Sequence, residues 1–391
     1  MYSHAYFDHN ATTAVDERVM TAMLPFMTSL NNASSRHAFG RVARHAIDTA
    51  REKVANAVGA HPSQIVFTSS GTEANNFAIS GMVTNEFTRL DSVGNPLNKN
   101  MIISGLEHPC ISRPALALKK YGFQVQQLMP NVEGVIEKSA LETTLNVNTA
   151  LVSVMFANNE TGAIQPIAEL AEIAKKHGTL IHTDGVQGFG KVAIDFADLN
   201  VHALTISSHK IGGPQGAGAL VLDKRVDIQP LLYGGGQEKG LRSGTENVAA
   251  IVGFGRACEL AVANLENYHA HTNQLRCQLE ASLSQMNAVI FAEHVNRIPN
   301  TSFFAFEHIE GETLVMALDR KGFAVASGSA CSSDSTEPSH VLLSMGIASD
   351  LARGAIRVSF GLENTVEQVA RFVVVLEQEL KRLKQMVALV A

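Results

Sequence analysis

Short apolar runs alternate with longer stretches of helical periodicity along much of this chain, and that alternation dictates most of the expected architecture. Runs at 65–68, 101–104, 123–126, 151–156, 180–183, 204–207 and 219–222 read as strands. Between several of them, 73–82, 112–121 and 167–177 place apolar residues three and four apart and read as helices. Strands alternating with helices imply an α/β fold, a mostly parallel seven-stranded sheet covered by helices. Upstream, 16–26 and 42–58 have helical spacing, 31–40 is polar and irregular, and 91–100 reads as an exposed loop. Downstream, 233–247 is a glycine-rich, flexible loop, and one long helix over 248–286 leads out of the sheet domain. The remainder, 287–391, patterns as a smaller α+β unit with strands at 301–306, 324–325 and 355–359 and a last helix over 365–389. The predicted division is a large domain at 15–260 and a small one made of 1–14 with 261–391.

Composition narrows the class. A length of 391 residues suits two domains, since domains usually span ~100–200 residues. The balance of 17% charged and 46% apolar residues is that of an ordinary globular chain. The net charge of −6 offers no electrostatic reason to expect nucleic acid. The first residues show no secretory signal, and no apolar run approaches the ~20 residues of a membrane span, so no membrane partner is expected. Four scattered cysteines, none at metal-ligand spacing, fit a reducing, cytoplasmic setting.

The candidate chemistry lies where the apolar runs end. The run at 203–206 stops at Ser207-Ser208-His209-Lys210 and turns through Gly212, Gly213 and Gly216. A lysine delivered to a strand mouth among small residues can be desolvated and made nucleophilic, as a Schiff-base lysine must be; a solvated loop lysine is the plainer reading. Ser69-Ser70-Gly71-Thr72 joins a strand to a helix start, where backbone N–H groups and the helix dipole favour phosphate, or where Ser and Thr simply cap. Asp184 ends a buried strand and suits a protonated pyridine nitrogen, if it is not just a cap for the next helix. Asn158 follows another run, as an amide for a ring hydroxyl or a carboxylate, or as an Asx-turn. His108 follows a further run; a flat imidazole there can stack on a ring and handle protons. Ligands of open α/β sheets bind outside the carboxyl ends of the strands, so these five ends converge on one crevice suited to pyridoxal 5'-phosphate (PLP). His182 reads as packing.

Two further features stand in the small domain. Cys331 lies in Ser327-Gly328-Ser329-Ala330-Cys331-Ser332-Ser333, among small residues that leave it accessible. A thiol of pKa ~8.5 needs only a modest shift to supply thiolate. Arg357, in the β-like run 354–360, offers a planar fork for an amino-acid carboxylate or for a structural salt bridge.

With these residues in place, the sequence resembles the cysteine desulfurases of the NifS/IscS group, within the class V aminotransferases of PLP fold type I. The matching stretches include Tyr6-Phe7-Asp8, Ala11-Thr12-Thr13, 67–73, Glu107-His108, Asn158-Asn159-Glu160-Thr161-Gly162, Asp184 with Gln187, 207–210, Arg242-Ser243-Gly244-Thr245, 327–331 and Arg357. The resemblance implies that Lys210 carries PLP covalently, Asp184 holds the pyridinium, Gln187 the ring hydroxyl, and His108 stacks on the ring. It further implies that Gly71, Thr72, Ser207 and His209 hold the phosphate, and that Thr245 reaches the phosphate in a partner subunit, hence a homodimer. Asn158 and Arg357 would hold the carboxylate of L-cysteine, and Cys331 would take its sulfur. The implied reaction yields L-alanine and a Cys331 persulfide, passed to an acceptor or scaffold protein for iron–sulfur clusters or tRNA thiolation. A selenocysteine lyase or aminotransferase on the same scaffold, or a non-catalytic sulfur-transfer scaffold, are the alternatives.

Overall fold

The structure, a computed structural model, describes residues 4–30, 32–84, 100–328 and 337–390. In chain order it begins with β1 (Ala5–Tyr6), α1 (Glu17–Met27), α2 (Ala38–Ala57), β2 (Ile65–Thr68), α3 (Gly71–Thr84), β3 (Asn100–Ser104) and α4 (Pro109–Ala117). It continues with β4 (Gln124–Leu128), α5 (Lys138–Thr144), β5 (Thr149–Ser153), α6 (Ile167–Lys176), β6 (Leu180–Asp184), α7 (Phe196–Leu199), β7 (Ala203–Ser207) and β8 (Gly218–Leu222). After α8 (Val248–Ala263) and α9 (Leu265–Gln285) come β9 (Val289–Ile290), β10 (Thr301–Ala305), α10 (Gly311–Arg320), β11 (Phe323–Ala324), β12 (Ala326–Ser327), α11 (His340–Ser344), α12 (Ser349–Arg353), β13 (Ile356–Ser359) and α13 (Val366–Val390).

The central sheet has seven strands in the order β2-β8-β7-β6-β5-β3-β4. All run parallel except β8, which lies antiparallel between β2 and β7. The α/β sheet expected from the pattern is therefore present; apart from the edge strand β4, which is largely exposed, its strands are buried on both faces as helix-covered strands must be. Both Thr68 and Ser207 pair with Gly218, where β8 begins. A Cβ on Gly218 would lie 2.6 Å from the Ser70 carbonyl carbon, so only glycine lets β8 pass beneath the turn that opens α3.

A second cluster of apolar side chains joins Ala5 and Phe7 to residues of α9, α10, β10, β13 and α13. The four-stranded sheet β12-β13-β10-β9 lies in this part of the chain, and β1 pairs with β11. The N-terminus is thus built into the C-terminal unit from its first described residues.

Several elements differ from the pattern. The single long helix expected over 248–286 is two, α8 and α9, bent by 70°. Asn264 sits between them with φ −109° and ψ 7°, outside the helical region. No glycine or proline marks the break, so periodicity alone runs through it. No single described helix is long and apolar enough to cross a membrane. Helix α2 starts earlier than expected, at Ala38 with His37 as its cap. Strand β5 is shorter than the 151–156 run, but Val154 and Phe156 still donate to the carbonyls of His182 and Asp184. The loop expected at 91–100 lies outside the described residues except for Asn100, which opens β3.

Candidate active site

The carboxyl ends of β2, β3, β5, β6 and β7 surround a cavity of about 240 Å³. Its lining includes Gly71, Thr72, His108, Asn159, Asp184, Gln187, Ser207, His209 and Lys210, with Asn75 and Cys110. Most of the residues singled out in the sequence are therefore brought together.

One end of the cavity is built for an anion. Helix α3 starts at Gly71 and presents its first N–H groups there. Ser207 Oγ is buried and without a hydrogen-bond partner among the described residues. A Cβ at Gly71 would come 2.9 Å from Val186 Cγ2 and 3.3 Å from Ser207 Cβ, so glycine keeps this corner open. His209 Nδ1 lies 3.1 Å from Thr12 Oγ1. Burial, then the Lys210 charge, lowers the His209 pKa to about 4, so the ring is neutral near pH 7.

At the other end, Asp184 accepts from Val186 N–H at 2.9 Å and from Asn75 Nδ2 at 2.7 Å. Burial raises the carboxyl pKa, against those two bonds and the Lys210 charge. A buried carboxyl held up in this way gains from a cation beside it, which is what a protonated pyridine nitrogen would be. Asn75 Oδ1 is buried and unpartnered. His108 caps α4 by accepting from Cys110 N–H through Nδ1, at 3.2 Å. Its pKa falls to about 4, chiefly by burial and then by the Lys210 charge. Its Nδ1 also lies 2.9 Å from Cys110 Sγ. Burial raises the Cys110 thiol pKa, which disfavours its thiolate.

Lys210 Nζ donates to the carbonyls of Asn10 (2.5 Å) and Ala11 (2.7 Å). The N-terminal segment therefore lies directly against the amine. Asn10 is the hub of a buried network. Its Nδ2 donates to Asn159 O and Thr301 Oγ1, its Oδ1 accepts from Lys191 Nζ at 2.6 Å, and its carbonyl accepts from Gln187 Nε2 at 2.9 Å.

Two residues fall elsewhere than expected. Asn158 does not line the cavity; its Oδ1 accepts from the N–H groups of Glu160 and Thr161, both at 2.9 Å. The Asx-turn alternative is the one the structure shows, and the neighbouring Asn159 faces the cavity instead. The Arg357 fork is already engaged, with Nη2 2.6 Å from Asp8 Oδ1 and Nη1 2.9 Å from the Asn159 carbonyl. Arg357 thus stands one residue behind the lining. Thr245 is exposed and outside the cavity of its own chain. Its loop, expected to be flexible, is tied down by Arg51–Glu238 (2.6 Å), Arg242–Glu73 (2.7 Å) and Arg44–Glu246 (2.7 Å). Cys331 lies outside the described residues.

Three polar residues of the site are not singled out by the sequence: Asn10, Asn75 and Lys191. Asn10 lies between two of the matching stretches without a role of its own. Lys191 follows Gln187 by one helical turn, and that spacing is the one local signal that could have found it.

The sequence pattern of the family described as Aminotransferase class-V matches residues 5–372. The chain belongs to that family. It is 42% identical over 383 residues to "Cysteine desulfurase IscS" of Methanosarcina thermophila, covering 97% of this chain and 93% of that protein. It is 40% identical over 387 residues to "Cysteine desulfurase IscS" of Dictyoglomus turgidum, covering 98% and 96%. A solved structure called "NIFS-LIKE PROTEIN" superposes with a TM-score of 0.89 at 37% identity, covering 97% of this chain and 99% of that one. Class V aminotransferases of this kind depend on PLP, and the anion corner with its orphaned Ser207 hydroxyl fits that cofactor's phosphate.

Proposed function

We infer that this crevice converts L-cysteine to L-alanine, its sulfur leaving onto Cys331: the chain is a PLP-dependent cysteine desulfurase. The observation that carries the site assignment is the convergence of Lys210, Asp184 and the Gly71–Thr72 helix start on one cavity. When bound, the cofactor supplies an electron sink that acidifies Cα of the amino acid.

Lys210 Nζ holds the cofactor covalently and afterwards moves the Cα proton. Asp184 keeps the pyridine nitrogen protonated, with Asn75 and Val186 N–H orienting its two oxygens. Thr72, Ser207, His209 and the N–H groups at Gly71 hold the phosphate. His108 would stack on the ring as a neutral imidazole, and Gln187 would donate to the ring hydroxyl. Asn159, in place of Asn158, and Arg357 hold the substrate carboxylate; the incoming group competes with Asp8 for the guanidinium fork.

Cys331 thiolate attacks the sulfur of the bound cysteine. The new S–S bond forms as Cβ–S breaks, the electron pair stays with the carbon framework, and protonation gives alanine. The flanks of the Cys331 segment support this. Ser339 donates to Glu160 Oε2 at 2.5 Å, and His340 Nε2 to the Glu107 carbonyl at 3.1 Å, beside Asn159 and His108 respectively. The persulfide then passes to an acceptor protein, for iron–sulfur clusters or tRNA thiolation, in the cytoplasm.

A homodimer completes the phosphate corner with Thr245 of the second copy. Thr245 is exposed on a pinned loop, and Met20, Leu24 and Met27 on α1 are 50–66% exposed at helical spacing. The separate core that joins 5–7 to the C-terminal elements supports the division into 15–260 and 1–14 with 261–391.

The test supplies L-cysteine and a thiol reductant to the PLP-loaded protein. Sulfide and alanine should appear, without need of a keto acid. Mass spectrometry should find one added sulfur on the Cys331 peptide. Cys331→Ser should still change its visible spectrum with cysteine yet form no persulfide, and Lys210→Ala should lack the borohydride-reducible chromophore. Turnover that depends on a keto acid, or a fully active Cys331→Ser, would overturn the reading.

A further inference from the structure

Lys191 is 2% exposed, and its ammonium is bound only to amide oxygens: Asn10 Oδ1 at 2.6 Å and Gln187 Oε1 at 2.8 Å. No carboxylate pairs with it among the described residues. Burial first, then the Lys210 and Arg357 charges, lowers the Lys191 pKa well below the usual lysine value, and His9 is near enough to feel the same amine; charged or neutral, the amine has the two N–H groups that these two bonds use. Asp16 and Glu363 line the adjoining cavity of about 140 Å³ that Lys191 also borders, without bonding to it. A buried lysine without a counter-ion is rare because desolvating its charge is unfavourable. Its two bonds satisfy buried amide oxygens, and an amine in that place calls for a reason beyond packing.

The local geometry supplies one. Backbone bonds from Phe189 to Gly185 and from Val192 to Gly188 form a helical turn that sets Lys191 beneath Gln187. An amide side chain can present either its oxygen or its NH₂ to a given side. Lys191 donating to Oε1 and the Asn10 carbonyl accepting from Nε2 hold the amide in one orientation from both ends. One of the two Nε2 hydrogens goes to the Asn10 carbonyl. The second is left for the cavity that Gln187 lines. The same ammonium fixes Asn10, whose carbonyl accepts from Lys210.

We propose that Lys191 is a positioning residue that acts through Gln187, fixing and polarising its amide so that an N–H, never the oxygen, meets the hydroxyl of the cofactor ring. This rests on the placement of Gln187 at that hydroxyl. A donor there favours the form lacking the Schiff-base proton, in which the ring oxygen carries more negative charge. Losing the donor therefore raises the pH at which the chromophore titrates.

The experiment follows the visible absorbance of the PLP-loaded protein across pH, for wild type, Gln187→Met, Lys191→Met and the double variant. Gln187→Met should raise the midpoint by about one pH unit or more, tenfold in proton affinity. Lys191→Met should raise it by a similar amount, and the double variant no further than Gln187→Met alone. Lys191→Gln keeps a donor for both oxygens and protects the fold; it should move the midpoint the same way by less. If Gln187→Met leaves the midpoint unmoved, the placement of Gln187 fails. If it moves but either Lys191 variant titrates like wild type, or the two shifts add, the role of Lys191 is overturned.

Discussion

The crevice at the strand ends and the polar layer behind it differ in how completely their hydrogen bonds are made. In the crevice, Ser207 Oγ and Asn75 Oδ1 are buried without a partner among the described residues. Behind it, Asn10 engages its N–H, its carbonyl and both ends of its side chain, and Arg357 holds Asp8 and Asn159 through its two Nη groups, though its Nε has no partner among the described residues. Buried polar groups are normally satisfied, so unmet valences mark where a ligand completes the structure, and met ones mark what holds that place rigid. Substitutions in the first region should therefore alter chemistry with little loss of fold, and those in the second should alter both.

The largest effect is expected at Asp184. Asp184→Asn is nearly isosteric, and the Val186 N–H can still donate to its oxygen. The new NH₂ would face Asn75 Nδ2, but Asn75 can turn its unpartnered Oδ1 toward it. The melting temperature of the cofactor-free protein should stay close to wild type, while kcat falls on the order of a hundredfold or more. Near-normal sulfide release would remove Asp184 from the ring nitrogen; a collapsed melting curve would place it in the saturated layer instead.

These two regions were also unequally legible in the sequence. Lys210, Asp184, His108 and Thr72 could be found because each stands where an apolar run stops, a local signal. The sheet was legible for the same reason. The choice between Asn158 and Asn159 was not, because which of two adjacent amides faces the cavity depends on a turn closed by Thr161 and Glu160. Nor was the Asn10–Gln187–Lys191 network, whose members are 177 and 181 residues apart from Asn10. The bend at Asn264 was hidden because no helix breaker announces it. Burial of a lysine or pairing of an arginine is a property of the packed chain and leaves little trace in its neighbours.

Arg357 sharpens the comparison because it stands between the two: its Nη groups are engaged behind the crevice, its Nε is buried without a partner among the described residues, and it is assigned to the substrate. Arg357→Ala strands Asp8 and removes a donor from the Asn159 carbonyl. The cofactor-free protein should lose about 1–3 kcal/mol of stability, measured by urea unfolding. The KM for cysteine should rise roughly tenfold or more while the resting spectrum of the loaded protein is kept. Asp8→Asn weakens the competitor for the fork, so its KM should not rise. Stability lost with KM unchanged would make Arg357 purely a tie between Asp8 and the Asn159 turn.

The smallest effect on the chemistry is expected at Glu107, where the change is one of stability with pH and whose two oxygens divide between the two regions. Oε1 accepts from Ser104 Oγ and Met155 N–H, both at 2.7 Å, tying the end of β3 to the chain beyond β5. Oε2 is buried with no partner among the described residues. Burial first, with the Asp184 charge adding to it, raises the carboxyl pKa to about 8. The folded protein thus keeps a proton that an unfolded chain, with an ordinary glutamate near ~4.3, has released. For an acid whose folded value is raised, stability is fully present below the unfolded value and is lost as pH rises through the window up to about 8. Glu107→Gln keeps the carbonyl acceptor for both donors and cannot ionise. Its stability relative to wild type should therefore climb as pH rises from about 4 to 8 and level off beyond. Urea unfolding of the cofactor-free pair at several pH values measures this difference. A difference independent of pH would mean that Glu107 titrates alike in the folded and unfolded chains, and that its second oxygen has found water or a partner.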